Sequence, residues 1–471
     1  MSTGMFLLIL FVSIAALMLL IIKLKLHPVL ALLVTALLSG IALGNPASDV
    51  LGMINSGFGS TLTGIGITII LGAILAMGIQ DTGAAKSIAN FFIRLFRGKN
   101  LELAPALTAF IVSIPVFGDV TMVLTSNIAN ILSRRKRISM STMASFTGLG
   151  LFLTHALVPP TPGILAIAIL LGADIGMVIL WGIIIAIIGF LATWLILKPW
   201  TNKEYVPPID AVVEGVSQVE SSNTDDLLIK EEGLPGVFAS FLTILIPVFL
   251  IAGSSFINMY ADADAPIRAV TGIMGDRIVA LGLGVLYTML LGYFHKGFVV
   301  KNNAQFVDGK ERKIGEVLFG DWTSRGLKVA LSALLITGMG GAFGTVIRSA
   351  SAIDYLGEMI ANSPVPGILI PFLIGVIMMT AVGSMTVAGM TAAAIALPML
   401  GALGLSPLAA ALAIGSGTLM VNHVNNSGFW VMSQFFNLNT PQGLKYVTVP
   451  CIVASVVCFV CVAILSGIGV I

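Results

Sequence analysis

Long apolar segments recur from one end of this sequence to the other, and they decide what the chain can fold into. Residues 4–22, 177–197 and 446–467 are each long and apolar enough to cross a membrane as a helix. Only 10% of the 471 residues are charged, against about 25% in soluble domains. The short alternating segments typical of membrane β-barrels are not visible in the sequence. The sequence therefore predicts an all-α polytopic membrane protein.

Hydropathy and its interruptions predict about ten crossings and two further apolar segments. The crossings are placed at residues 4–22, 28–44, 61–80, 139–172 (interrupted), 177–197, 236–257, 277–295, 328–345, 407–437 (interrupted) and 446–467. The further segments, 103–132 and 366–400, carry polar or glycine residues at their centres. An arm of about 12 helical residues is about 18 Å long, which is too short for a hydrocarbon core of about 30 Å. Both segments are therefore predicted to be re-entrant helical hairpins.

Basic residues set the expected orientation, because they collect on the cytoplasmic side of a membrane. They flank segment 103–132 at both ends, whereas the flanks of 366–400 carry no Lys or Arg. The two hairpins are therefore expected to have their bases on opposite sides, the first inside and the second outside. Threading the chain on this basis leaves only three of the 24 Lys and Arg residues outside or at the outer interface: Arg268, Arg277 and Arg348. Both termini then lie outside a cytoplasmic membrane.

Two halves of the chain resemble each other. A shift of 265 residues brings "FGDVTMV" (117–123) onto "VGSMTVA" (382–388), and a shift of 268 brings His155 onto His423. Each half has five crossings and one hairpin, and since five is odd the second half must be inverted, as in many secondary transporters. The predicted organisation is a first inverted repeat over 1–197, a cytoplasmic linker over 198–235 and a second inverted repeat over 236–471. Segment 86–97 is predicted to be an interfacial helix, with 349–361 as its counterpart outside.

Four breaks in the apolar segments carry the candidate chemistry. They lie at 113–120, 154–163, 381–385 and 422–428, so that each half supplies one hairpin tip and one interrupted crossing. Irregular backbone at membrane depth must be satisfied by protein or water, and helix N-termini that meet there favour an anion. The candidate solute-binding residues are Gly118, Asp119, Thr121, Ser126, Thr154, His155, Thr161, Gly383, Ser384, Thr386, His423, Asn425, Asn426 and Ser427.

Asp119, His155 and His423 are the candidates for carrying a proton. Each also has a plain structural interpretation: Asp119 can cap the helix that follows it, and the histidines can be satisfied structural residues. Arg348 could neutralise an anionic solute or could extend to the outer interface. Asp174 is expected to cap a helix. Cys451, Cys458 and Cys461 are interpreted as apolar filler, and the sequence shows no metal-ligand cluster and no ATP-binding Walker A motif.

At these breaks the chain resembles the gluconate permease (GntP) family of the ion-transporter superfamily, over residues 4–465. The motifs that carry the resemblance are "IPVFGDV" (114–120), "HALVPPTPG" (155–163), "GGAFGTV" (340–346), "AVGSMTVA" (381–388) and "GSGTLMVNHVNNSGFW" (415–430). The chain departs from the usual family pattern at Asp119 (Glu), Thr161 (His) and Asn426 (Asp).

The resemblance implies proton symport of gluconate or a related sugar acid, an elevator-type fold and a homodimer in the lipid membrane. It implies no cofactor beyond the coupling ion, and no nucleic-acid partner is expected. The departures leave open a shorter hydroxy acid or a D-amino acid as the solute. An inorganic-ion antiporter or channel would favour several acids near mid-membrane, and an intramembrane enzyme would need a paired nucleophile and base. The sequence favours neither.

Overall fold

The computed structural model describes residues 3–115, 118–209, 228, 231–262, 265–349, 366–423 and 426–471. Within these residues the chain is helical and no β-strand occurs, so the all-α prediction is confirmed for this part of the chain. The predicted outer arm 349–361 falls almost wholly outside the described residues. Most of the linker 198–235 does as well.

The helices of the first half account for all of the predicted segments. In chain order they are α1 (Thr3–Ile22), α2 (Pro28–Ala42), α3 (Ala47–Asp81), α4 (Ala84–Phe96), α5 (Leu103–Val112), α6 (Gly118–Lys136), α7 (Met140–Leu157), α8 (Pro162–Leu171) and α9 (Ile175–Thr201). Several starts are explained by local chemistry, because Pro occupies the first helical position of α2 and α8. Asp174 caps α9 by accepting a hydrogen bond from the Met177 amide at 2.8 Å, as predicted.

The helices of the second half are separated from the first by the linker. They are α10 (Val237–Tyr260), α11 (Pro266–Met274), α12 (Arg277–Phe294), α13 (Lys296–Ala304), α14 (Trp322–Arg348), α15 (Leu369–Val382), α16 (Met385–Ala396), α17 (Leu400–Leu403), α18 (Pro407–Leu419), α19 (Ser427–Phe435), α20 (Thr440–Gly443) and α21 (Val449–Gly467). Short π-helices, Glu316–Asp321 and Leu444–Thr448, lead into α14 and α21.

Not every described helix is long enough to cross a membrane. Among the described residues, five helical spans are long and apolar enough, and α3 makes a sixth if its two parts, bent by 47°, form one span. The structure therefore supports a multi-pass membrane protein, while the predicted number of crossings stays a prediction. The helix that contains the predicted span 61–80 is longer than the span, because α3 begins at Ala47. Polar residues such as Asp49 and Asn55 lower the hydropathy of the first part of α3, so the sequence did not predict it.

Segment 103–132 has the geometry of a hairpin, which we call hairpin 1 (α5 and α6). At the start of α5, Glu102 forms an ion pair of 2.9 Å with Lys198 near the end of α9. Towards the end of α6, Asn130 accepts a hydrogen bond of 2.9 Å from the amide of Ile209, just beyond α9. Both ends of hairpin 1 therefore lie at the same end of α9, and its tip lies away from them. Re-entry into a membrane remains a prediction.

Segment 366–400 folds in the same way, as hairpin 2 (α15 and α16). Its two ends are adjacent, because a Cβ on Gly367 would lie 2.8 Å from the carbonyl oxygen of Leu403. Its tip is Gly383–Ser384, where Gly383 takes the left-handed backbone conformation (φ 71°) that ends α15. Ser384 then caps α16. The polar interruption that marked this segment in the sequence is thus a helix end followed at once by a helix start.

Each hairpin packs closely against the interrupted helix of its own half. In the first half a Cβ on Gly150 of α7 would lie 2.3 Å from the carbonyl oxygen of Ala106 in α5. In the second half a Cβ on Gly417 of α18 would lie 2.3 Å from the carbonyl oxygen of Phe372 in α15. Glycine is needed at both positions because the backbones are in contact, a packing mode common between membrane helices.

The helices α3 and α14 form a closely packed pair. They pack backbone to backbone where Gly57 meets Ala342, with an ideal Cβ 2.8 Å from the Cα atom. At the end of α3 the fully buried Asp81 accepts hydrogen bonds from Trp322 Nε1 at 2.8 Å and from Arg325 at 2.7 Å. Because breaking a buried ion pair is costly, these bonds fix the register of α3 against α14.

Candidate functional site

The two hairpin tips and the two helix interruptions meet around one cavity of about 180 Å³, which we call the central cavity. Hairpin 1 contributes the start of α6, and hairpin 2 contributes its tip and the start of α16. The interrupted crossings contribute the end of α7 and the start of α19. Its lining residues are Gly118, Met122, Leu151, Phe152, His155, Gly383, Ser384, Met385, Thr386, Asn426 and Gly428.

Three helices start at the wall of the central cavity. The first residues of α6, α16 and α19, with their caps Ser384 and Asn426, lie on or beside its lining. The start of α8 packs alongside, because a Cβ on Gly163 would lie 3.4 Å from the Cα of Thr386. Helix N-termini carry amide groups without helical partners and a partial positive charge. The cavity is therefore suited to a small anion held by backbone amides.

Among the described residues that line the central cavity, His155 carries the titratable side chain. It lies in the last turn of α7, and its Nδ1 is buried without a hydrogen-bond partner among the described residues. Because an unpaired buried nitrogen is unfavourable, the ring is suited to gain a partner when the cavity is filled. Imidazole can act as donor or acceptor, and it can carry a proton.

Asn426 combines a structural role with a place on the cavity wall. Its Oδ1 accepts a hydrogen bond of 2.7 Å from the Gly428 amide and so caps α19. Its Nδ2 donates to Oδ1 of Asn422, which is fully buried. Asn426 is thus the cap of α19, and its role in binding remains a prediction.

Four other candidates lie away from the central cavity. Thr154 is turned towards hairpin 1, where its hydroxyl lies 2.5 Å from that of Ser113. The Thr161 hydroxyl is 2.9 Å from the Val158 carbonyl oxygen and holds the turn that includes the cis Pro159–Pro160 bond. Ser126 is buried within α6, and His423 is not among the lining residues. Thr154 and Thr161 thus shape the break beside His155.

Thr121 faces a different cavity, and some candidates cannot be placed. Asn425 lies outside the described residues. The backbones of Asp119 and Ser427 fall in the first turns of α6 and α19, but their side chains lie outside the described part, as does that of Arg348. Since α6 begins at Gly118, Asp119 stands inside the first turn and not at the predicted capping position. Asp119 is the second residue of α6.

Sequence reasoning missed the apolar part of the wall. Met122, Leu151, Phe152 and Met385 line the cavity beside the polar residues. Their positions follow helical spacing from predicted residues, because Met122 lies four residues after Gly118 and Leu151 four before His155. Hydropathy alone could not have separated them from residues that face lipid. No group of three or more His, Cys, Asp or Glu residues that could hold a metal ion occurs in the described part of the chain.

Helical hairpins and interrupted helices that enclose a polar cavity within apolar helices are the features of a membrane transporter. The chain belongs to the GntP family of permeases: the family model described as GntP family permease matches residues 5–468. The family resemblance seen in the sequence is thereby confirmed.

Curated relatives match almost the whole chain. An uncharacterised permease of Haemophilus influenzae is 34% identical over 91% of this chain and 86% of its own length. A gluconate permease of Pseudomonas aeruginosa is 30% identical over 97% of this chain and 96% of its own. The D-serine transporter DsdX of Escherichia coli is equally similar, at 30% identity over 95% of both chains.

A solved structure shares the fold at low sequence identity. The crystal structure of the Alcanivorax borkumensis YdaH transporter matches with a TM-score of 0.54 and 16% identity, covering 94% of this chain and 99% of that one. This likeness concerns the fold alone.

Proposed function

We propose that this permease is a secondary active transporter that takes up gluconate, or a related sugar acid or hydroxy-carboxylate, together with a proton across the cytoplasmic membrane. The observation that carries the proposal is the central cavity, where both hairpin tips and both helix interruptions meet. Three helix starts favour a carboxylate there, and His155, Ser384 and Asn426 offer hydrogen-bonding groups for hydroxyls.

The solute class follows from chemistry shared by the relatives. Gluconate and D-serine are the solutes named for two relatives of equal similarity. Both molecules combine a carboxylate with at least one hydroxyl group on a short chain. A cavity with amide donors for the carboxylate and side chains for a hydroxyl fits this common part. A short hydroxy acid or a D-amino acid is therefore the alternative solute, ahead of an inorganic ion.

Proton coupling is assigned to Asp119, His155 and His423. An anion that moves with a proton needs a group that binds the proton on one side and releases it on the other. His155 lines the central cavity and Asp119 follows the lining residue Gly118. His423 lies three residues before Asn426. The backbone N–H of Asn426 donates a hydrogen bond of 2.8 Å to the His423 carbonyl oxygen. In this proposal the proton is shared among these interacting groups and is not carried by one residue alone.

The transport cycle is proposed to follow an elevator mechanism built on two inverted repeats. The order of helices supports the repeats: each half has a long helix (α3, α14), a hairpin, an interrupted helix and a final long helix (α9, α21). In this proposal α3 and α14 belong to a fixed body that also forms a homodimer, and the hairpins move with the solute. The distribution of basic residues along the chain predicts both termini outside, and membrane lipid is the surrounding medium in this proposal.

Uptake into proteoliposomes tests the proposal. Purified protein should accumulate labelled gluconate when the outside is made acidic, and an ionophore that collapses the pH gradient should abolish the accumulation. Unlabelled D-serine and short hydroxy acids, added in competition, then rank the solutes. Absence of uptake and of competition by all these carboxylates would overturn the proposal.

A further inference from the structure

A second cavity of about 160 Å³ lies on another side of hairpin 1, where hairpin 1 faces α3, α4 and the end of α13. Its polar lining residues are Gln80, Lys86, Thr121, Asn127, Asn302 and Gln305. We call it the basal cavity, because Gln80 and Lys86 belong to the segment that leads to the base of hairpin 1.

One helix separates the two cavities. Gly118 and Met122 of α6 face the central cavity, whereas Thr121, Leu124 and Asn127 face the basal cavity. The second set recurs every three residues, which forms a stripe along one side of a helix with 3.6 residues per turn. A solute that leaves the central cavity past hairpin 1 therefore meets the basal cavity within one or two helical turns.

The Thr121 hydroxyl is evidence that the basal cavity binds a ligand. Thr121 is fully buried, and its Oγ1 finds no hydrogen-bond partner among the described residues. The next threonine in α6 differs, because the Thr125 hydroxyl donates to the Thr121 carbonyl at 2.7 Å. A buried hydroxyl without a partner is unfavourable, and a hydroxylated or carboxylate ligand would supply one.

Lys86 gives the basal cavity a positive charge that is already paired with a carboxylate. Its ammonium group lies 2.7 and 2.8 Å from the two carboxylate oxygens of Glu231. A wider cavity of about 480 Å³ adjoins the basal cavity and shares Lys86, Asn302 and Gln305 with it. Glu231, Glu232 and Lys301 line this outer part. An anion that enters must therefore compete with Glu231 for Lys86.

We infer that the basal cavity is a second, weaker binding site for the transported hydroxy-carboxylate, through which the solute passes on the side where hairpin 1 has its base. The side-chain amides that line the basal cavity and the Thr121 hydroxyl bind solute hydroxyls. Lys86 binds the solute carboxylate when its ion pair with Glu231 opens. The inference rests on the proposed function for the identity of the solute. It adds a second site and gives the Lys86–Glu231 pair the role of setting that site's affinity.

Titration calorimetry of the purified full-length protein with gluconate tests the inference. The wild type should show two binding events. Thr121→Val keeps the side-chain shape and should weaken the weaker event about fivefold, the scale of one hydrogen bond, without changing the tighter one. Glu231→Gln should strengthen the weaker event by releasing Lys86. Thr125→Val is the matched control, since its hydroxyl is bonded within α6, and it should leave both events unchanged.

The outcomes separate this inference from the proposed function. Two results would overturn the second site: a wild type with a single gluconate-binding event, or a weaker event whose affinity is unchanged in both Thr121→Val and Glu231→Gln. Either result leaves the proposed site in the central cavity unaffected. No gluconate binding at all overturns the proposed solute and the second site together. If Thr121→Val fails to fold, Glu231→Gln still decides, because Glu231 is exposed at the protein surface.

Discussion

At the scale of single residues, Glu204 shows how one half-buried side chain joins the segment after α9 to the second half. It follows α9, and its carboxylate accepts hydrogen bonds from Gln442 at 2.7 Å, from Tyr446 at 2.7 Å and from Lys445 at 2.9 Å. These bonds, with that of Gln442 the strongest cause, lower the pKa of Glu204 from its usual 4.5 to about 2. The contact thus favours the ionised carboxylate.

The sign of this shift predicts a pH dependence. A lowered pKa in the folded state means that stability from Glu204 is fully present above about pH 4.5 and is lost as the pH falls towards 2. Glu204→Gln should therefore lower stability at pH 7 by about 0.5–1 kcal/mol, a small value because solvent screens the pair. The difference from wild type should shrink below pH 4.5. Thermal unfolding in detergent at several pH values measures it.

The exposed Glu311 offers a matched control for that measurement. Glu311→Gln removes an exposed carboxylate, and the unfolding temperature should stay within error of wild type. A Glu204→Gln protein with unchanged stability at pH 7 would mean that the hydrogen bonds of Glu204 contribute nothing in solution.

Proton coupling is also decided at single residues. Asp119→Asn keeps the polar shape but cannot carry a proton, so we expect solute exchange to continue and accumulation driven by a pH gradient to fall at least tenfold, or about 1.4 kcal/mol. Counterflow without a gradient and uptake with one, both in proteoliposomes, separate the two effects. Full gradient-driven uptake by this variant would move the proton to His155 or His423, for which His155→Gln is the next test.

The limits of sequence reasoning are visible at this scale. The sequence placed Gly118, His155, Gly383, Ser384, Thr386 and Asn426 together at the breaks, and the structure brings these six to one cavity. The sequence could not show that Thr121 faces a different cavity, because the direction of a side chain depends on where its helix starts. The contact between Ser113 and Thr154 joins two separate breaks, and no local pattern predicts such a contact.

At the scale of helices, close packing between α5 and α7 positions the tip of hairpin 1. Gly150→Ala would place a Cβ 2.3 Å from the Ala106 carbonyl oxygen, so the backbones must separate. We expect a loss of about 1–3 kcal/mol, the usual cost of overpacking, and weaker solute binding because the tip shifts. The unfolding temperature and a gluconate titration measure the two effects.

Gly148 of the same helix is the control for this prediction. A Cβ there would lie 3.0 Å from the flexible end of Met432 and 3.6 Å from the Phe152 ring, an ordinary contact. Alanine is also the better helix former by about 1 kcal/mol. Gly148→Ala should therefore be close to neutral. Equal stability of the two variants would show that α5 and α7 do not pack as described.

Helix starts were harder to predict than helix existence. Every predicted crossing corresponds to described helices, yet α3 begins at Ala47, well before the predicted start at residue 61. Its first part is held by backbone contact with α14 through Gly57, and such a tertiary contact leaves no apolar signal in the sequence. The helix α13 (Lys296–Ala304) was missed because its composition is polar.

At the scale of the whole molecule, the predicted sidedness of the hairpins can be mapped directly. After the native cysteines are replaced, single cysteines at the exposed Lys99 and Arg137 should react only with reagent supplied from the cytoplasm. Those at the exposed Pro366 and Gly401 should react only from outside. The physical reason is that neither hairpin has arms long enough to cross the hydrocarbon core.

A membrane-impermeant thiol reagent, applied to intact cells and to inverted vesicles, makes this measurement. Reaction of Lys99→Cys and Arg137→Cys from opposite sides would mean that segment 103–132 crosses the membrane. Reaction of all four positions from one side would leave both hairpins in place and would contradict the inversion of the second half.

The solute is proposed to bind where both hairpin tips and both interrupted helices meet. An electron cryomicroscopy structure of the purified protein with saturating gluconate tests this claim most directly. We predict ligand density in the central cavity, with the carboxylate facing the starts of α6 and α16 and a solute hydroxyl within hydrogen-bond distance of His155 or Asn426. Gluconate bound elsewhere, with the central cavity filled only by water, would contradict the account.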